Sequence, residues 1–191
     1  MNNKFLAFSI GDGHVSKDGS LQITHCEEQK EYIYWKYNQL KEISNYCPRK
    51  IKNNGHNGYF FQTRVHQDFK EIRKKLYGVL NKKYLSIDVI NDLTPFCLAI
   101  LYLDDGSLYA KKRNGKIHAY DLVISIYGEK SECENLIDFL SNKYDIHFTL
   151  KYNKGYYSIR CGTKEAKKFL YLIRPEIPNF ECFKNTKLKQ I

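Results

Sequence analysis

Two apolar runs, residues 5–10 and 96–103, each end on an acid followed by glycine: Gly11-Asp12-Gly13 and Asp104-Asp105-Gly106. Continuous apolar character over this length predicts short buried helices. Beyond each run the pattern becomes alternating. Leu21, Ile23 and His25 alternate with Gln22 and Thr24, and Phe61, Thr63 and Val65 with Phe60, Gln62 and Arg64, as in a sheet with one buried and one wet face. A strand over residues 122–125 repeats the motif. Between the strands, residues 27–43 and about 129–143 predict helices, the first with Tyr32, Ile33, Trp35, Leu40 and Ile43 as an ordinary core stripe. Turn signals stand at Lys17-Asp18-Gly19, Asn53-Asn54-Gly55, Asn57-Gly58, Arg113-Asn114-Gly115 and Asn153-Lys154-Gly155.

The order helix, strand, strand, helix, strand, strand, helix therefore occurs twice. Gly58-Tyr59-Phe60 answers Gly155-Tyr156-Tyr157, each opening a strand that reaches an arginine, Arg64 or Arg160. The acids are offset by 93 positions (105 against 12) and the Gly-Tyr pairs by 97 (155 against 58), a drift that loop insertions leave. The chain reads as an α+β protein of two repeats, 1–92 and 93–191.

Composition narrows the class. Thirty-one Lys and Arg against 21 Asp and Glu give a net charge of +10, which suits a polyanionic partner such as nucleic acid. Sixteen Tyr and 11 Phe argue for a folded core rather than disorder. The six cysteines form no C-x-x-C pair, so reduced, mostly buried thiols of an intracellular protein are expected, with no zinc or redox site. The run at residues 5–10 has no signal-peptide cleavage site, and residues 95–103 fall short of the roughly 20 needed to cross a bilayer.

An aspartate at a helix C-terminus opposes the helix dipole unless a cation compensates it, and both repeats place one there. Packed side by side, two such helices would bring Asp12 and Asp105 to one cavity. Carboxylate oxygens suit Mg²⁺, and the pair could serve metal-assisted phosphoryl transfer. The alternative is a plain Asp-Gly helix end with Gly13 and Gly106 as left-handed caps.

The segments FLAFSIGDG (residues 5–13) and LAILYLDDG (residues 98–106) resemble the two copies of the LAGLIDADG motif of single-chain homing endonucleases. The similarity runs from residue 4 to about 188 and includes residues 31–36 and Asp92-Leu93-Thr94-Pro95. It implies αββαββα units, motif helices at the interface, two antiparallel sheets forming a saddle over the DNA major groove, and a monomer. It also implies Asp12 and Asp105 as catalytic acids and metal ligands, the carbonyls of Gly11 and Asp104 as further ligands, and a late lysine in each repeat, Lys83 (or Lys82) and Lys184. The first motif has small residues at Ala7 and Gly11 where the second has Ile100 and Asp104, so an asymmetric interface is expected.

Polar strand and turn positions are the candidates for DNA contact. They are Lys17, Gln22, Lys52, Asn54, His56, Asn57, Gln62 and Arg64 in the first repeat. In the second they are Lys111, Arg113, Asn114, Lys116, His118, Lys151, Asn153, Lys154 and Arg160. The insertion at residues 111–116 lengthens the second repeat's first hairpin. The resemblance implies a staggered, double-strand cut at a long DNA target with Mg²⁺, with Mn²⁺ substituting and Ca²⁺ supporting binding alone. The alternatives are a maturase acting on host intron RNA and a non-cleaving DNA-binding regulator.

Overall fold

The computed structural model describes residues 2–53, 55–78, 81–126, 128–153, 155–189 and 191, except for the side chains of Asn53 and His56. The first half opens with α1 (Asn3–Ile10), whose first turn is capped by the Asn2 side chain accepting from the Lys4 amide at 3.0 Å. Strands β1 (His14–Val15), β2 (Leu21–Cys26), β3 (Arg49–Asn53) and β4 (His56–Gln62) form an antiparallel sheet in the order β1-β2-β4-β3. Helix α2 (Lys30–Gln39) backs it, and α3 (Gln67–Leu76) and α4 (Ile87–Asn91) follow.

The second half repeats this. Helix α5 (Pro95–Asp105) starts with Thr94 accepting from the Cys97 amide and proline in the first turn, where its missing N–H costs nothing. Strands β5 (Gly106–Arg113), β6 (Lys116–Ser125), β7 (Thr149–Asn153) and β8 (Tyr156–Gly162) pair as β5-β6-β8-β7, with α6 (Lys130–Tyr144) on the sheet. Helices α7 (Thr163–Ile173) and α8 (Glu181–Lys184) complete the chain.

Helices α1 and α5 pack directly on each other, and Phe5 to Ile10 and Cys97 to Leu103 are all buried. Their apolar character on every side follows: α1 packs on α5 and α3, and α5 on α1, α7 and the strands β5 and β6. An aromatic cluster joins the halves, Phe8 meeting Trp35 (5.8 Å between ring centres) and Trp35 meeting Phe180 (5.3 Å).

Local differences from the sequence pattern have identifiable causes. The 27–43 helix is split into 3-10 turns at Glu27–Gln29 and Lys41–Ile43 around α2. Asn57-Gly58 is strand rather than turn, because the chain already reverses at Gly55 (φ 85°) and Lys52 pairs with Asn57. Strand β4 ends at Gln62, so Val65 is 53% exposed, outside the alternation. In the second half's hairpin, Asn114 (φ 51°) and Gly115 (φ 76°) both take the left-handed conformation that a two-residue turn needs, and β5 and β6 extend well past β1 and β2. Among the described residues no helix is long and apolar enough to cross a membrane.

Candidate functional site

The two motifs end differently. Helix α1 stops at Ile10, and Gly11 leaves helical geometry (φ −86°, ψ −126°), whereas α5 continues through Asp105 to a cap at Gly106. Asp105 is thus placed by its own helix. The Asp12 amide instead donates to a carboxylate from the opposite helix, Asp104 Oδ2, at 2.8 Å. A Cβ on Gly11 would lie 2.1 Å from that oxygen, so glycine at 11 and aspartate at 104 are two sides of one contact. Gly13 and Gly106 serve space as well: neither has positive φ, and a Cβ would meet the Phe8 carbonyl at 1.9 Å or the Tyr102 carbonyl at 2.4 Å.

Asp104 is held from behind. Lys36 Nζ, from α2, donates to its two oxygens at 2.8 and 2.9 Å, and the Tyr32 hydroxyl donates at 2.9 Å. Both members of this ion pair are fully buried. Burial pushes the Asp104 carboxyl up, but Lys36, His25 and the Asp12 amide together outweigh it and keep the group below its ordinary value. Lys36 Nζ also lies 3.1 Å from His25 Nε2, and His25 Nδ1 lies 2.9 Å from Gln29 Oε1 and 3.5 Å from Asp12 Oδ2. Burial, reinforced by Lys36, lowers His25 to about 3, leaving a neutral ring that accepts from Lys36 and donates from Nδ1.

Asp12 and Asp105 are electrostatic neighbours at the adjoining ends of the two motif helices. Asp12 keeps 40% of its side chain open to solvent yet is pushed up to about 6, chiefly by desolvation and then by Asp104. Desolvation, followed by Asp12 and Asp104, raises Asp105 to about 7. Two lysines stand beside them. Lys83 Nζ donates to the carbonyls of Gly11 and Gly13, both at 2.6 Å. Lys187 Nζ donates to the carbonyls of Leu103 and, at 3.1 Å, Asp104. Desolvation lowers both ammonium groups below their ordinary value. Cavities of about 290 and 410 Å³ open next to them, one lined by Lys82, Lys83, Ser125 and Asp105, the other by Gln29, Ser107, Thr186 and Lys187.

Of the two late lysines expected from the sequence, the structure brings Lys83 to the acids and leaves Lys184 in solvent, 63% exposed and paired with Glu181 at 3.2 Å. Its place is taken by Lys187, because the chain turns back after α8 through the Thr186 and Leu188 amides bonding the Phe183 carbonyl. Lys82 lines the cavity rim. The carbonyls of Gly11 and Asp104 point to the lysines, and the Asp104 side chain turns away to Lys36. Nothing in the sequence pattern marks Lys36, His25 and Lys187 as site residues; only the inward parity of His25 on β2 signals burial.

The donor set fits a hard divalent cation: two carboxylates and two backbone carbonyls, all oxygen, with both acids raised chiefly by desolvation and already courted by two ammonium groups. Asp12, His25 and Asp104 also offer ligand atoms within 4.8 Å of one another, but Lys36, Tyr32 and the Asp12 amide already engage the Asp104 oxygens.

The sheet faces turned away from the helices carry polar residues. Register places Gln22 opposite Gln62, and Val123 opposite Arg160 at the equivalent position of the second sheet. Lys111 (3.0 Å) and Arg160 both pair with Asp121 on that face, and Lys151 and Asn153 share it by parity. Arg113, Asn114, Lys116 and His118 are exposed around the long hairpin, and Lys17 at the β1–β2 turn. Asn57 bonds Glu27 at 3.3 Å, and Lys52, its partner in register, shares that helix-side face. Arg64 lies past the end of β4 with its guanidinium on the Glu42 carbonyl. Arg49, not foreseen, stacks on Tyr46 (4.7 Å) and Phe60 (5.6 Å) on the outer face. Asn54, Lys154 and the His56 side chain lie outside the described residues.

A profile of the LAGLIDADG DNA endonuclease family matches residues 9–169. The solved structure of the homing endonuclease I-WcaI bound to its DNA recognition sequence superposes with a TM-score of 0.82 at 25% identity, over 98% of this chain and 84% of that one. The probable intron-encoded endonuclease 1 of Wickerhamomyces canadensis is 34% identical over 101 residues, 51% of this chain and 42% of its own length. The RecA protein of Mycolicibacterium fallax is 26% identical over 165 residues, 82% of this chain, which spans only 38% of that protein.

Proposed function

The chain belongs to the LAGLIDADG DNA endonuclease family, and from that premise we propose that it makes a site-specific, metal-dependent double-strand break in DNA. The carrying observation is the convergence of Asp12 and Asp105 at the ends of two packed helices, each acid flanked by a half-buried lysine. Asp12, Asp105 and the carbonyls of Gly11 and Asp104 would hold the cation, with Mg²⁺ as the natural choice and Mn²⁺ as its substitute. A cation held there supplies Lewis acidity toward the scissile phosphodiester.

The protein's own groups do the rest. Asp12 and Asp105 offer two carboxylates to a two-strand substrate, one from each half. Lys83 and Lys187, pinned on backbone carbonyls, present positive charge that stabilises phosphate oxygens as charge builds on them. The outer sheet faces, with Gln22, Gln62, Lys151 and Arg160, bind the major groove, and the long basic hairpin of the second half reaches further along the duplex. A single chain supplies both halves, and staggered ends at a long target follow from acids acting on opposite strands.

The test is to select duplexes from a random library bound in Ca²⁺, add Mg²⁺, and map cuts with the wild type and Asp105→Asn. Staggered double-strand cuts by the wild type alone are expected. Tight binding without cutting would support a regulator instead, and lack of duplex binding would move the assignment to intron RNA.

A further inference from the structure

The pseudo-symmetry of the site also fails behind the acids. On the Asp12 side stand Lys36, Tyr32 and His25, a buried polar network reaching across the helix interface to Asp104. In the second half the positions equivalent to Lys36 and His25 are apolar, and the one equivalent to Tyr32 is the half-buried Glu132. The buried faces of α2 (Ile33, Lys36, Leu40) and α6 (Cys133, Leu136, Leu140) coincide, which puts Leu136 where Lys36 would be. The pairings of His14 with Gln22 and Ser107 with Val123 likewise put Ile126 where His25 would be.

The backbone explains why one side needs the network. Asp105 lies within the last turn of α5, so its main chain is fixed by helix hydrogen bonds, whereas Asp12 lies two residues beyond the end of α1. Its N–H, without a helical acceptor, takes the Asp104 carboxylate at 2.8 Å. That carboxylate is fixed in turn by three bonds, two from Lys36 and one from Tyr32. A charge-assisted contact of this kind holds orientation well only while the buried anion keeps its cation.

We propose that Lys36 is a positioning residue that sets Asp12, and not Asp105, by holding the Asp104 carboxylate against the Asp12 amide, so that the two halves of the site are unequal by construction. Lys36 touches neither acid of the dyad through a hydrogen bond; it acts through Asp104. The catalytic consequence rests on the cleavage function proposed above, and the positioning itself does not.

Lys36→Met tests this, with Lys36→Met/Asp104→Asn as a second variant that leaves no unpaired buried charge should the first fail to fold. Amide hydrogen exchange on ¹⁵N-labelled protein reads the positioning without DNA. Exchange at the Asp12 amide should accelerate at least ten-fold while that at Asp105 stays within two-fold. Unchanged exchange at Asp12, or equal acceleration at both, overturns the proposal. On a cleaved duplex labelled on each strand, the ratio of the two nicking rates should shift at least ten-fold from wild type, and equal slowing of both strands overturns the claim of unequal halves. If the wild type cuts no DNA, the cleavage reading fails while the exchange measurement still decides the role of Lys36.

Discussion

Replacing Asp105 by asparagine should stabilise the metal-free protein at neutral and alkaline pH. Desolvation and the neighbouring Asp12 and Asp104 raise Asp105 from 3.8 to about 7. Between about pH 4 and pH 7 the folded chain therefore carries a proton that the unfolded chain has released, and stability falls as pH rises through that window before levelling off. A displacement of that size corresponds to about 4 kcal/mol at most, and solvent in the half-open cleft reduces it to about 2 kcal/mol. For a chain of this length that is a rise in Tm of about 4–8 °C. Urea unfolding in EDTA at pH 4, 6 and 8 measures it. The gain should be near zero at pH 4 and largest at pH 8, and millimolar Ca²⁺ should shrink it by stabilising only the wild type. A variant less stable than wild type at pH 8, or a gain independent of pH, would refute the electrostatic account.

Gly11→Ala should drive a methyl into the Asp104 carboxylate, 2.1 Å away, and separate it from Lys36; the expected loss is about 3–5 kcal/mol, as for a broken buried ion pair, measured by thermal unfolding. Lys187→Met should slow DNA cleavage about 100-fold, while Lys184→Met should change it less than about two-fold, as single-turnover rates would show. Lys111→Ala with Arg113→Ala should weaken duplex binding and flatten its salt dependence by about 1–2 in log–log slope, with Arg113 contributing more because Asp121 already pairs with Lys111 at 3.0 Å.

The repeat, the α+β layering and the paired acids were legible in one dimension, because each depends on local pattern. Alternation marks a half-wet strand, an apolar run marks a buried helix, and a glycine after aspartate marks a helix end. Lys83 was legible through the resemblance, but its counterpart was not. Lys184 and Lys187 are equivalent on paper, and only the reversal of the chain after α8 determines which ammonium reaches the Asp104 carbonyl. Asn57 and Lys52 show the same limit. One residue of register in β3 and β4 decides which sheet face they occupy, and register is fixed by the turn at Gly55 together with packing on α2.

Local pattern alone specifies that two acids end two buried helices in a duplicated, basic chain. Which partners those acids meet was decided by tertiary structure. Lys36 is a charged residue on the buried stripe of α2, and nothing local announces that its cation is matched 68 positions away by Asp104. A buried charge is tolerable only where a distant segment delivers its counter-ion and the remaining donors find acceptors. That condition depends on how α1, α2 and α5 pack together, a property that does not exist until the chain has folded.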